Sequence, residues 1–226
     1  MPSAEAFEFP PTSQWSQDTW VRACMVSTLD GSAIGVDGRS GSISSPVDRD
    51  LFVSMRGAGD VILVGAGTLR LENYSRVATP IAVVSRRLDF SAELRLFAEP
   101  AREPVPIIFT TSEAASSADR WLMKAAEIVP CGQENVDLAS VIHELASRGL
   151  TRIHCEGGPT LLGSLVAHDL VDELILTVTP SLLGTPDRIL HAGIAPAALR
   201  IEGVWEQEGT VVIQSRRIPD SPLANR

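Results

Sequence analysis

The chain has 226 residues, 44% hydrophobic and 21% charged, and its 19 basic against 28 acidic side chains give a formal charge of −9. That composition belongs to globular rather than disordered proteins, and the length suits one α/β domain, with no Pro/Gly/Ser-rich linker through the middle. The acidic balance argues against a nucleic-acid or anionic-membrane surface, and no apolar run approaches the ~20 residues that a bilayer span needs.

The opening residues, MPSAEAFEFPPTSQWSQD, lack a basic stretch followed by an apolar one, so a cytoplasmic location is the expectation. We expect residues 1–18 as an extended lead, 19–217 as a single domain and 218–226 as a tail. From Thr19 a β-rich run, TWVRACMVST, leads into the loop LDGSAIGVDGRSGSIS. A helix then opens at Ser45, with Pro46 in its first position and Asp48 three residues after the cap, and Val47, Leu51 and Met55 form its apolar stripe.

Five short apolar runs follow: DVILVG (60–65), PIAVVS (80–85), VPIIFT (105–110), EIVPC (127–131) and TRIHCE (151–156). Runs of that length read as buried strands of a mostly parallel sheet. Helical patterns lie between the later ones, at 113–126 and at 138–148, the second ended by Gly149, and another covers 160–168. The chain closes with DELILTVTPSLLG, ALRIEGVWEQEG and TVVIQSRR, an antiparallel end with Glu208-Gly209 as a hairpin turn. The expected fold class is α/β: a mostly parallel central sheet flanked by helices, with antiparallel C-terminal strands.

Cys24, Cys131 and Cys155 are odd in number and widely spaced, which fits neither a disulfide framework nor a metal site, and none is expected. Lys124, the one lysine, falls on a helix face, which makes Schiff-base chemistry improbable. Tyr74, the one tyrosine, has Ala78 four positions on, so there is no Tyr-x-x-x-Lys relay.

Glu156-Gly157-Gly158-Pro159-Thr160 is the strongest candidate site, because it joins a strand end to a helix start, where open α/β sheets bind ligands. The plain alternative is a tight turn. Gly65-Ala66-Gly67-Thr68 follows another strand, but Arg70 stands where G-x-G-x-x-G needs its third glycine and no acid lies ~20 residues on. Ser85-Arg86-Arg87 ends the next strand instead, and a hydroxyl with a guanidinium there suits a 2′-phosphate, favouring NADP(H) over NAD(H). Solvated surface arginines are the alternative. Asp30, in Leu29-Asp30-Gly31, reads from spacing as a turn residue. His143, His154 and His168 read as structural or surface residues.

The blocks MVSTLDG, DRDLFVSMRGAGDVILVGAGTLRLENY and IHCEGGPTLLGSLVAHDLVDELILTVTPSLLG, in this order, resemble the reductase domain of the bifunctional riboflavin-biosynthesis deaminase-reductase, a pyrimidine reductase family. The resemblance runs from about Val21 to Arg217; the family's zinc deaminase signature is not found. It implies a dihydrofolate-reductase-like fold, a homodimer, and NADPH-dependent reduction of 5-amino-6-(5-phosphoribosylamino)uracil to the ribitylamino product. It implies cofactor contacts at Gly65, Gly67, Thr68, Ser85, Arg86, Gly157, Gly158, Pro159 and Thr160, with Asp30, Ser44, Arg56, Glu72 and Glu156 around the substrate. Glu156 or Asp30 is the expected orienting or proton-relaying residue. Cys24 and Ser32 stand where many members carry lysine, and Arg56 or Arg76 is the expected replacement cation. A dihydrofolate or pterin reductase, and a non-catalytic NADPH-binding protein, are the competing readings.

Overall fold

The computed structural model describes residues 15–219 apart from 17, 99–102, 192 and 195, so nearly all of the expected lead and most of the tail lie outside the described residues. Among the described residues nine strands form one sheet: β1 (Trp20–Thr28), β2 (Val61–Gly65), β3 (Ile81–Val84), β4 (Ile107–Thr110), β5 (Glu127–Pro130), β6 (Arg152–Gly157), β7 (Glu173–Thr179), β8 (Leu199–Gln207) and β9 (Thr210–Arg217). Their spatial order is β5-β4-β3-β2-β6-β1-β7-β9-β8. Every pairing from β5 to β7 is parallel, and β9 runs antiparallel to both β7 and β8.

The parallel strands bury both faces, which is why they read as continuous apolar runs. On one face Val21, Ala23, Val61, Leu63, Ile153 and Cys155 pack with Val141 and Leu145 of α6 (Leu138–Ser147) and Leu161 and Leu165 of α7 (Pro159–Ala167). The other face carries two separate apolar clusters. Ile62, Val64, Ile81 and Val83 pack with Leu69 of α2 (Ala66–Glu72), Leu96 of α3 (Arg95–Ala98) and Leu122 of α5 (Arg120–Ala125). Cys24 and Ile175 pack with Leu51 and Met55 of α1 (Pro46–Ala58).

Between those clusters runs a buried polar seam. In the strand register Arg22 lies opposite His154 on one side and Glu173 on the other, and Arg22 Nε donates to Glu173 Oε2 at 2.8 Å with neither side chain exposed. Glu156 continues the seam two residues beyond His154.

Ser45 caps α1 as expected, its side chain accepting from the Asp48 N–H, with Pro46 in the first helical position. The hairpin turn also falls where expected, with Glu208 and Gly209 both at positive φ, 52° and 76°. The single helix expected over 113–126 is instead two, α4 (Ser112–Ser116) and α5. Ser116 and Ser117 turn their hydroxyls back onto the Glu113 carbonyl, and Asp119 restarts the helix in extended backbone, so local side-chain bonds break a run whose apolar spacing was continuous. Among the described residues no helix is long and apolar enough to cross a membrane.

Candidate active site

The site is built at the C-terminal ends of β3, β2, β6 and β1. Pairing of β2 with β6 runs in register to Leu63 opposite Cys155 and then jumps to Val64 opposite Gly157, leaving Glu156 as the unpaired residue of a bulge. A bulge bends its strand and re-aims the extra side chain. Beyond it the chain turns through Gly157 and Gly158, both at positive φ (69° and 42°), and enters α7 with Pro159 in its first position.

This turn touches the one at the end of β2. A Cβ on Gly158 would lie 2.3 Å from the Thr68 hydroxyl oxygen, whereas one on Gly67 would meet nothing within 4 Å. Gly65 is the cap residue of α2 and pairs in the sheet with Val84, so Ser85 and Arg86 begin where the glycine turn begins. The Ser85 hydroxyl accepts from the Leu88 N–H at 3.2 Å, and the exposed Arg86 lies 3.3 Å from Asn135 Oδ1. Cofactor candidates separated by almost a hundred residues thus share one edge, with free space over Gly67 and a bare helix start at α7. A dinucleotide's pyrophosphate fits such a cradle.

Beside it lies a cleft of about 500 Å³ walled by α1, the 33–44 loop, α2 and the 72–77 segment. Ser44, Arg56, Thr68, Glu72, Glu156, Gly158 and Pro159 line it. Gly65, Gly67, Gly157, Thr160, Ser85 and Arg86 flank it along the sheet edge and do not form its wall.

Glu156 is the electrostatic centre. Arg56 grips it through both oxygens, Nε to Oε1 at 2.5 Å and Nη2 to Oε2 at 2.7 Å, and the Tyr74 hydroxyl donates to Oε2 at 2.6 Å. Burial would raise this carboxyl, but the Arg56 hydrogen bonds, the adjacent His154 ring and the Arg56 charge together hold it at about 2. His154 Nε2 lies 3.5 Å from Oε1, so Arg56, at 2.5 and 2.7 Å, is the closer partner. The guanidinium is stacked in turn over Phe52 and Tyr74, at 4.4 and 5.2 Å from the ring centres. Burial, then the Glu156 charge, push the Tyr74 hydroxyl well up, so it stays protonated.

The remaining candidates hold local structure. Glu72 Oε1 accepts from the Ser40 N–H and hydroxyl at 2.9 and 2.8 Å, which pins the loop over the cleft, and the Ser44 hydroxyl donates to Asp48 Oδ2 at 2.6 Å. Asp30 sits in the turn after β1 and is not part of the cleft wall. Its Oδ1 accepts from the Thr28 hydroxyl and its Oδ2 from the Leu183 and Gly184 N–H groups, and Thr28 and Gly184 hold its carboxyl at about 2. Arg76 does not replace a missing cation in the cleft: it is buried and donates to the carbonyls of Leu96 and Ala125. Ser32 is buried too, its N–H donating to the Thr28 hydroxyl.

Sequence reasoning missed Tyr74, Phe52 and Asp48 as parts of the cleft. The only signals were the uniqueness of the tyrosine and an acidic residue in a first helical turn, and each has an ordinary structural explanation.

A family model described as the RibD C-terminal domain matches residues 19–213. The 2,5-diamino-6-ribosylamino-4(3H)-pyrimidinone 5′-phosphate reductase of Methanothermobacter thermautotrophicus is 30% identical over 201 residues, covering 84% of this chain and 88% of the relative. Among solved structures, a pyrimidine reductase-like protein from Corynebacterium diphtheriae aligns with a TM-score of 0.79 at 25% identity, over 89% of this chain and 93% of that one. Dihydrofolate reductase from Enterococcus faecalis, complexed with NADP(H), aligns at 0.51 and 10% identity over 88% of this chain and 96% of that one, a likeness of fold alone. The sheet order, the glycine turns and these matches agree: the chain belongs to the RibD C-terminal domain family, reductases built on the dihydrofolate-reductase fold.

Proposed function

We propose that this protein is an NADPH-dependent reductase acting on a 6-ribosylaminopyrimidine 5′-phosphate, 5-amino-6-(5-phosphoribosylamino)uracil or its 2-amino counterpart, in riboflavin biosynthesis. The observation that carries the reading is the contact between the Gly158 turn and Thr68, which sets a dinucleotide cradle directly against a cleft centred on Glu156 and Arg56. Gly65, Gly67, Thr68, Gly157, Gly158, Pro159 and Thr160 would hold the pyrophosphate side of NADPH, and Ser85 and Arg86 the 2′-phosphate. When bound, NADPH supplies the hydride that reduces the ring-opened ribose imine carbon, C1′, to the ribityl chain.

The chain's own task is to position the reactants and exclude water. Ser44, Arg56 and Glu72 line the substrate side, and the exposed Arg49 on the cleft wall offers a cation for the 5′-phosphate. Glu156 and Asp30 are both ionised at neutral pH, each held at about 2, so neither carries a proton to give. Glu156 is a positioning residue that fixes Arg56 and Tyr74; Asp30 ties the turn after β1 to Leu183 and Gly184.

A cytoplasmic homodimer belongs to the same reading. The three cysteines are all free and buried, which suits a reducing compartment, and edge strand β8 leaves Leu199, Ile201 and Val204 exposed for a second copy. The functional test is NADPH oxidation followed at 340 nm with each ribosylaminopyrimidine phosphate and, in parallel, with dihydrofolate. Turnover of a ribosylaminopyrimidine supports the proposal. Turnover of dihydrofolate alone, or tight NADPH binding without turnover of any of the three, overturns it.

A further inference from the structure

Asp48 is among the most buried charged residues of the cleft, 6% exposed, on the first turn of α1. Its Oδ2 accepts from the Ser44 hydroxyl. Among the described residues Oδ1 receives no hydrogen bond, and the carboxylate joins no ion pair. The cations nearest in sequence are directed elsewhere: Arg49 donates to the Ser44 carbonyl at 2.9 Å and Arg56 is taken by Glu156. The neighbouring Cys24 thiol, kept protonated by burial and the Asp48 charge, brings no positive charge to it.

The unfilled oxygen opens to the cleft, so the carboxylate is held in place by its buried surroundings and the Ser44 hydroxyl while Oδ1 stays free to accept from a ligand that brings donors. The ligand that matches it presents two adjacent N–H groups in the plane of a ring. A 2-aminopyrimidin-4-one has that edge, N3–H beside the C2 amino group, whereas a uracil places a carbonyl oxygen at C2, lone pair against carboxylate. We propose that Asp48 reads the N3–H and 2-amino edge of the substrate base, so that this chain prefers the 2,5-diaminopyrimidinone over the aminouracil. Ser44 orients the carboxylate for that contact. The proposal rests on the ribosylaminopyrimidine reading above and adds the residue that selects the base.

The test separates binding from turnover. Calorimetry in the presence of NADP⁺ would compare the two reduced products, 2,5-diamino-6-ribitylamino-4(3H)-pyrimidinone 5′-phosphate and its aminouracil counterpart, while kcat/KM is measured for the two unreduced substrates. The parent should bind the 2-amino compound at least ~10-fold more tightly, the scale of a hydrogen-bonded charge contact. Asp48→Asn should bring the ratio within about threefold of unity, with NADPH affinity unchanged, and Ser44→Ala should give a smaller loss in the same direction. Should Asp48→Asn fail to fold, Ser44→Ala and the parent's own ratio still decide. Equal affinities in the parent, a ratio unmoved in folded Asp48→Asn, or no binding of either product overturns the assignment. A ratio that depends on Asp48 without turnover of either substrate leaves the base contact standing and removes the proposed reaction.

Discussion

Arg56 and Glu156 lie 100 residues apart in the chain and meet through two hydrogen bonds of 2.5 and 2.7 Å at the wall of the cleft. The contact exists because a bulge in β6 re-aims Glu156 while α1 carries Arg56 one turn beyond Phe52. Replacing Glu156 by Gln removes the charge and leaves a half-buried guanidinium without its counter-ion. Breaking one side of such a pair costs about 3 kcal/mol, the low end of the buried range because Arg56 is 25% exposed. Glu156→Gln should lower the unfolding free energy measured by urea titration by that amount and slow reduction at least ~10-fold, with NADPH affinity little changed. A variant with parental stability and turnover would show that the pair is dispensable.

The same carboxylate sets an acid limit. Its pKa in the fold, about 2, lies below the ordinary 4.5, so the stability it contributes is complete above pH 4.5 and fades as the pH falls towards 2. Tyr74→Phe deletes one hydrogen bond to the ionised form and should raise that pKa, moving the acid unfolding midpoint upwards while neutral stability falls by about 1.5–3 kcal/mol. Circular dichroism followed through acid titration checks both effects; a midpoint that stays put or moves down contradicts the assignment.

Two glycines separate backbone need from ligand need. At Gly158 a side chain meets Thr68 at 2.3 Å in a left-handed backbone, so Gly158→Val should lose about 1–3 kcal/mol of stability as well as cofactor binding. At Gly67 nothing lies within 4 Å, so Gly67→Val should fold like the parent and weaken NADPH at least ~10-fold, because it intrudes only on the proposed pyrophosphate. Calorimetry with NADPH beside thermal melts decides. Unchanged affinity in Gly67→Val takes this turn out of the cofactor site.

Much of this arrangement was legible in sequence because its determinants are local. Strand lengths, the Ser45 cap, the Gly149 stop and the glycine turns depend on neighbours within a few residues, and the structure places each where the residues indicate. The interrupted helix near Ser117 escaped because apolar spacing carries no record of hydroxyls bonding backwards. The convergence on Glu156 escaped for a different reason: its bulge is a property of how β6 pairs with β2, and Tyr74 reaches it from 82 residues away. Asp48 was visible only as a first-turn acid, since burial and an unfilled oxygen belong to the assembled cleft.

In the proposed function, cofactor choice turns on Arg86. Its contact with Asn135, 3.3 Å and exposed, is weak enough to yield to a phosphate. Arg86→Ala should weaken NADPH by roughly 10- to 150-fold and leave NADH almost unchanged, the span of ~1.5 to 3 kcal/mol for a charged hydrogen bond. Arg87 can share the phosphate, so the double alanine variant belongs beside the single one. An undiminished preference for NADPH in the double variant would show that the phosphate lies elsewhere.

The central claim, hydride delivery to the ribosylamino carbon, is tested most directly by isotope transfer. NADPH carrying deuterium at the transferable position of C4 should yield ribitylaminopyrimidine phosphate one mass unit heavier, with the label at C1′ by NMR. Product formed without the label, label at another carbon, or no ribitylamino product from either ribosylaminopyrimidine phosphate would contradict the account.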